Sequence, residues 1–373
     1  MSQVLKKMKI DDIRLSRFKM ERLDPSWRTA TYAAGAVDGF VVEIFAGSAV
    51  GIGGTAAHPN SISADDLATQ LDGPVRDTLA GADPRFGNLI RQRLLAGNVH
   101  PRARLAADLA LHDLIAKIAD LPCHALWGGA IRSKLKVVRM VGIKPLAELK
   151  TAVEALLQQG FTHLKVKIGT GLAEDVERIR MLRRSFGNDI WIAVDGNSAY
   201  TPASAIELSR ALEPYGVSLI EQPIDYSDLN GLARVTQASR IPIMADQCVS
   251  DASSALAVCR MGAAHIVSIK GTSLGSLDEC RRVYEICRAF GVRIHFGGSV
   301  ASAIADMAQA QLAASLPGVD EECEVGEFMA VKGEPVTGMN IHHGELEECS
   351  GPGWGVSFCA DGERLPMKKT REV

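Results

Sequence analysis

From about residue 137 onward, short β-like apolar bursts recur along this chain at an almost fixed interval, and few folds accommodate that regularity. The eight bursts are KVVRMVGI, HLKVKIG, IWIAVDGN, SLIEQP, IPIMADQ, HIVSIK, RIHFGG and ECEVGEF. Reference residues near their ends, Lys167, Asp195, Glu221, Asp246, Lys270 and His295, are separated by 28, 26, 25, 24 and 25 positions. Between them lie stretches such as AEDVERIRMLRRSF, PASAIELSRALEPY, DASSALAVCRMG and LDECRRVYEICRAFG, with apolar residues at roughly i, i+3 and i+4 and a Gly or Pro near the end. A strand followed by a helix, seven or eight times over, fits an α/β barrel of the (β/α) type better than an open doubly wound sheet. The barrel is expected over residues 126–338.

Residues 1–125 read differently. MKIDDIRLSRFKM and GFVVEIFAGSAVGIGG look like alternating strands joined by the polar loop ERLDPSWRTATYAAGAVD, and helices follow through RARLAADLALHDLIAKIADL. This is a separate α+β domain. Beyond residue 338 the chain returns to turn-rich sequence, GELEECSGPGWGVSFCADG, expected to pack back on that first domain, so that 339–373 completes it. The composition, 47% hydrophobic and 23% charged over 373 residues, is that of a folded chain, and a formal charge of −3 invites neither nucleic acid nor an anionic membrane. Eight cysteines with no C-x-x-C pair read as reduced, buried thiols, which points to the cytoplasm. The opening MSQVLKKMKIDDIRLS carries lysines without an apolar stretch after them, so no signal peptide and no membrane span are expected.

The residues at the C-terminal ends of the bursts are polar, and barrel active sites are built at that rim. Lys165 and Lys167 are two apart on a strand and share its inward face. Asp195 with Asn197 closes the next strand, Glu221 the next, Asp246 the next, and Lys270 the one after. Three carboxylates from three consecutive parallel strands converge as an all-oxygen cluster, and that much buried negative charge calls for a counter-ion. A hard divalent cation, Mg²⁺, answers it, and no Cys and His cluster points to zinc. Such an ion can hold a substrate carboxylate and stabilise the charge formed when the neighbouring α-proton leaves. Lys167 on the second strand and Lys270 on the sixth face each other across an eight-stranded mouth, a base for each face of a substrate. A lysine base near neutral pH needs its pKa lowered from about 10.4 by burial and neighbouring cations. Lys165 and the metal are expected to push on Lys167 in this way.

Taken singly, a Lys or Asp at a strand end is ordinarily a solvated rim residue, and EQP and DGN are ordinary turns. Six charged groups at the same phase of five successive repeats are not explained that way, and together they read as a functional site. The lesser candidates stay two-sided. Asn197 is a neutral neighbour of the cluster or a turn residue. His295 faces the site or packs beneath it, whereas His163 and His265 read as packing or surface. Ser299, in GGSVAS with Ser302, either bonds a substrate carboxylate or lies where a helix starts.

At these residues the sequence resembles the enolase superfamily, and within it the muconate lactonizing subgroup, over nearly the whole chain. The subgroup's lysine-x-lysine motif is matched by Lys165-Val166-Lys167, its three metal ligands by Asp195, Glu221 and Asp246, and its opposing lysine by Lys270 before a Gly-rich loop. AADLALHDLIAKIADLPCHALWGG and the late GPGWGV turn also look right. The mandelate racemase subgroup would instead have an aspartate at Lys270, paired with a histidine on the following strand, so His295 alone does not move the assignment. The resemblance implies an α+β capping domain over a modified (β/α)₇β barrel, Mg²⁺ with Mn²⁺ as a substitute, a homo-oligomer, and abstraction of a proton α to a carboxylate. One position departs: the subgroup commonly has Asp-Glu where this chain has Asp246-Gln247, which keeps the ligand and reduces the charge beside it.

Subgroup members differ in overall reaction, including muconate cycloisomerases, o-succinylbenzoate synthases, N-acylamino acid racemases, dipeptide epimerases and proline-type epimerases or dehydratases. Substrate identity is expected in the cap loop, where Trp27, Arg28 and Tyr32 can cover or pair with a substrate tail, and in the last strand. Dipeptide epimerases grip a substrate ammonium there with acidic residues, and ECEVGE offers Glu322 and Glu324 at alternate positions. This favours a racemase or epimerase of an amino acid derivative using both lysines. The alternatives are a cycloisomerase or β-elimination enzyme in which one lysine supplies only charge, and a barrel that binds a small acid without turnover.

Overall fold

The computed structural model describes residues 8–347, 351–359 and 363–364. Residues 1–7 of the opening segment and residues 348–350, 360–362 and 365–373 of the late segment, Cys349 among them, lie outside the described residues. The chain opens with three long strands, β1 (Asp12–Arg22), β2 (Ala36–Ala46) and β3 (Ala49–Ala56), antiparallel in sequence order. Helices α1 (Ala64–Gln70), α2 (Arg76–Leu79), α3 (Gly87–Ala96) and α4 (Pro101–Ile118) follow. The period-2 alternation gives the sheet two buried faces. Phe40, Val42 and Ile44 of β2 pack with the helices, whereas Val37 and Val41 belong to the core shared with the barrel. α4 contributes to both cores, and it lies so close on β3 that a Cβ on Gly51 or Gly53 would run into the Ala110 or Ala106 carbonyl oxygen.

A short strand β4 (Lys134–Lys136) leads into seven parallel strands separated by helices. These are β5 (Val138–Val141), α5 (Leu146–Gln158), β6 (His163–Lys167), α6 (Leu172–Phe186), β7 (Trp191–Asp195), α7 (Pro202–Leu212), β8 (Leu219–Glu221), α8 (Leu229–Ala238) and β9 (Ile243–Ala245). The series continues with α9 (Ala252–Met261), β10 (Ile266–Ile269), α10 (Gly271–Leu274), α11 (Leu277–Ala289), β11 (Arg293–Phe296) and α12 (Ala303–Ser315). The strand order is sequential from β5 to β11, as βαβ crossovers require.

The eighth burst forms no regular strand. Its backbone nonetheless closes the ring: Glu321 and Glu324 donate to Ile294 and Phe296 of β11, and Cys323 bonds Lys136 and Val138 on the other side. Asp320 also donates to Ile294, and this two-to-one pairing interrupts the ladder as a bulge does. Inside the ring, Ala193, Leu219, Met244 and Ile266 form an apolar floor. The inward positions two residues further along β7, β8 and β9 are Asp195, Glu221 and Asp246, so the ionic layer sits one step above the floor.

Late in the chain, Glu345–Glu347 pairs with β4, next to the barrel, while Trp354 is buried against β3 and α4. The Trp354 indole N–H reaches the Ile52 and Leu109 carbonyls at 3.2 Å. Asp113 of α4 accepts from the Ile52 and Trp354 amides, both at 2.8 Å, and holds Lys117 at 2.6 Å. The late segment therefore divides between the two parts of the molecule. Among the described residues no helix is long and apolar enough to cross a membrane.

Candidate active site

The ladder register brings Lys167, Asp195 and Glu221 side by side at the ends of β6, β7 and β8. Asp246 and Lys270 follow the ends of β9 and β10, and all six inward groups are buried or nearly so. They form one continuous ionic chain. Lys167 pairs with Asp195, Lys165 lies 2.6 Å from Glu221 and 3.8 Å from Asp195, and Lys270 lies 2.6 Å from Asp246 and 3.5 Å from Glu221. Lys165 also pairs with Glu324, which enters from the eighth burst.

Four carboxylates meet three ammonium groups, so the carboxylates are already largely compensated. Among the described residues no three His, Cys, Asp or Glu side chains stand gathered as a metal site. The converged carboxylate triad expected from the strand ends is thus not preformed: each acid turns to its nearest lysine. The donor set itself fits a hard divalent cation, being three buried carboxylates on consecutive strands, once the ammonium groups turn aside.

At Lys165 and Lys270 the neighbouring carboxylates oppose any lowering of the pKa. Burial pulls Lys165 down, but Glu221, Glu324 and Asp195 outweigh it and hold the ammonium well above its ordinary range. At Lys270 burial is likewise overcome by Asp246 and Glu221, with Lys165 opposing them. Burial raises Glu324, yet Lys165 and then His295 pull it well below the carboxylate range.

Around this layer, backbone strain is concentrated. Asn197, Ser198 and Gln222 have φ of 42°, 68° and 31°, a region that side chains other than glycine seldom occupy. Asn197 donates to Asp195 through its amide at 2.9 Å and its side chain at 3.2 Å, so it is both turn residue and neighbour of the cluster. Gln222 was missed in the sequence because EQP reads as a turn. Its Oε1 accepts from the Asp246 amide at 3.0 Å, and its Nε2 donates to the Ile224 carbonyl at 3.1 Å, tying the ends of β8 and β9 together. Gln309 of α12 was missed too: it bonds the Gly271 amide at 2.9 Å and the Gly297 carbonyl at 3.2 Å on either side of Lys270. No local signal marks it. Asp175 left a faint one, since it opens α6 after Gly169-Thr170-Gly171 and accepts from all three amides at 2.9, 3.0 and 3.2 Å. That fixes the loop after Lys167.

The weaker sequence candidates separate. His295 is buried with Nε2 3.4 Å from Glu324 Oε1, out of hydrogen-bond alignment, and its Nδ1 has no partner. Ser299 accepts from Arg102 at 2.7 Å, and Ser302 caps α12 by accepting from the Ile304 amide. Glu322 lies one layer below Glu324, beside Lys136 and His163 at 3.9 and 3.8 Å. Two residues of extended chain cover about 6.6 Å, so the pair of carboxylates expected to grip an ammonium is not there. Gln247 is exposed and makes no side-chain hydrogen bond among the described residues, so it does not buttress the cluster. Trp27 is buried beneath the Arg22 guanidinium at 3.7 Å and against Gly142, a packing residue rather than a free cover. Arg28 is exposed, and its carbonyl accepts from the Ile143 amide at 2.9 Å.

Residues 148–362 match the family described as Enolase C-terminal domain-like. The chain is 33% identical over 267 residues to the N-succinylamino acid racemase of Amycolatopsis sp., covering 69% of each. It is 29% identical to the chloromuconate cycloisomerase of Pseudomonas sp. (strain P51), over 87% of this chain and 90% of that one. Among solved structures, the dipeptide epimerase from Enterococcus faecalis V583, complexed with Mg and the dipeptide L-Leu-L-Tyr, superposes with a TM-score of 0.87 at 27% identity, over 94% of this chain and 99% of that one.

Proposed function

This chain belongs to the Enolase C-terminal domain-like family, and from that premise we propose that it is an isomerase that removes the proton α to a carboxylate and returns it to the opposite face of an amino acid derivative. The observation that carries this reading is the placement of Lys167 on β6 and Lys270 after β10 within one ionic chain, with Asp195, Glu221 and Asp246 on the three strands between them. Asp195, Glu221 and Asp246 are the residues that would hold Mg²⁺. When bound, that ion supplies positive charge to a substrate carboxylate and so lowers the cost of the second negative charge that deprotonation creates.

The chain's own residues do the rest. Lys167 Nζ takes the proton from one face, and Lys270 Nζ delivers one from the other. Each must pass through its uncharged form, and at Lys270 the buried Lys165 ammonium opposes the Asp246 and Glu221 carboxylates that otherwise hold the proton. Asn197 and Gln222 hold the Asp195 and Asp246 ends of the strands in register. The N-terminal domain covers the mouth: Ala30 packs at Gly169 beyond Lys167, and Trp27 at Gly142 beyond β5. Burial under this cover would exclude water from the proton transfers.

A cycloisomerisation or β-elimination ending is the second reading, supported by the similarity to the chloromuconate cycloisomerase. Proton NMR in D₂O with Mg²⁺ on N-acylamino acids, dipeptides, proline derivatives and muconates separates the two. Loss of the α-proton signal with both configurations appearing is expected. New olefinic or lactone signals would move the assignment to the second reading, and silence across the panel would remove both.

A further inference from the structure

Arg102, in the first turn of α4, is 5% exposed and has no Asp or Glu partner among the described residues. Its guanidinium donates only to neutral oxygens, the Ala56 carbonyl at 3.0 Å and Ser299 Oγ at 2.7 Å. A buried cation without a counter-charge is costly, and the positive end of the 18-residue helix α4 adds to that cost. The buried cations Arg22 and Arg139 differ, since both have Glu327 within electrostatic reach.

Arg102 also lies beside the reacting layer. Ser299 stands two residues after Gly297, whose backbone packs against the Lys270 methylenes, so the guanidinium is on the order of 10 Å from that side chain. His58, edge-on to Tyr32 at 4.8 Å, shares this space. Burial and then four surrounding cations, Arg102, Lys270, Arg22 and Lys167, push its pKa down to about 3, so it stays neutral. Arg102 of the N-terminal domain and Lys270 of the barrel therefore bring positive character to this space, while Glu324, expected from the sequence to meet a substrate ammonium, is occupied by Lys165.

We propose that Arg102 binds a second carboxylate of the substrate, remote from the one beside the reacting carbon, so that the amino acid derivative carries an acidic acyl tail rather than a free amine. This rests on the racemase or epimerase reading above. The test is calorimetric titration of the full chain, with Mg²⁺ present, using N-succinyl-L-alanine and its neutral counterpart N-butanoyl-L-alanine. The succinyl compound is expected to bind about tenfold or more tightly than the butanoyl one. In Arg102→Gln that ratio collapses towards one, and in Arg102→Lys much of it survives. Equal binding of the two compounds by the unmodified chain overturns the proposal, as does an unchanged ratio in Arg102→Gln. A lower melting temperature in Arg102→Gln with the ratio intact would show a clamp between the domains and nothing more. Parallel α-proton exchange in D₂O keeps the two ideas apart: tight succinyl binding without exchange defeats the racemase reading alone, and exchange without preference for the succinyl compound defeats the Arg102 assignment alone.

Discussion

At the scale of single residues, function turns on which lysine reaches which face. If Lys167 and Lys270 each serve one face, Lys167→Ala and Lys270→Ala should each lose two to four orders of magnitude in racemisation. Each variant should keep exchange of the α-proton in only one enantiomer, and the two should keep opposite ones. Proton NMR of each enantiomer in D₂O reads this directly, and loss of the same enantiomer in both variants would make one lysine a bystander. Gln222 is a positioning residue rather than a reacting one. Gln222→Ala leaves the buried Asp246 and Cys248 amides without their acceptor, 3.0 and 3.5 Å away in the intact protein. It should cost about 1–3 kcal/mol in urea unfolding and weaken Mg²⁺ binding measured by calorimetry. Loss of stability with unchanged Mg²⁺ affinity would show that the clamp serves the fold only.

Between elements, close approach sets the tolerances. α4 rests on β3 because Gly51 and Gly53 offer no side chain to its backbone. Gly53→Ala should therefore destabilise the protein by at least about 1–3 kcal/mol in chemical denaturation, since the Ala106 carbonyl cannot move without the helix. Next to β3, where Gly54 faces Ser302 and Ile304, Glu334 accepts from the Ala303 amide at the start of α12 at 3.1 Å, and its second oxygen is buried without a partner. Burial pushes its pKa up to about 7, against 4.5 for the free side chain. The native state then holds the proton more tightly than the unfolded chain, so stability falls as pH rises from about 4.5 to about 7. Glu334→Gln keeps an acceptor for Ala303 and removes the buried charge. It should be more stable than the unmodified protein at pH 8, by on the order of 1–3 kcal/mol, and indistinguishable from it at pH 4, as followed by thermal melts.

For the whole molecule, the ionic layer should exchange partners when a divalent cation binds, releasing three carboxylates from their ammonium groups. Chelation with EDTA should abolish α-proton exchange, and Mg²⁺ should restore it. Exchange that persists in EDTA would assign the carboxylates to holding the lysines alone. The repeat of bursts and helices was legible because period-2 and period-3.6 patterns are local properties of the chain, and the i+2 spacing of Lys165 and Lys167 was enough to put both inward. The strand ends likewise announced Asp195, Glu221, Asp246 and Lys270. Other features were not local. Glu322 and Glu324 look equivalent in sequence, and only the stagger of the closed ring puts one in the floor region and the other against Lys165. Trp27 became packing because Gly142, more than a hundred residues later, lies against it. Arg102 could not be told from its neighbour Arg104 until the loop carrying Ser299 closed over it. The sequence by itself determined the first seven strands of the barrel, the helices between them and which strand-end side chains face inward, because those depend on bonds between neighbours along the chain. Which charges meet, and which one is left without a counter-charge, was decided by tertiary structure, because electrostatic pairing depends on distances between residues the chain alone does not bring together.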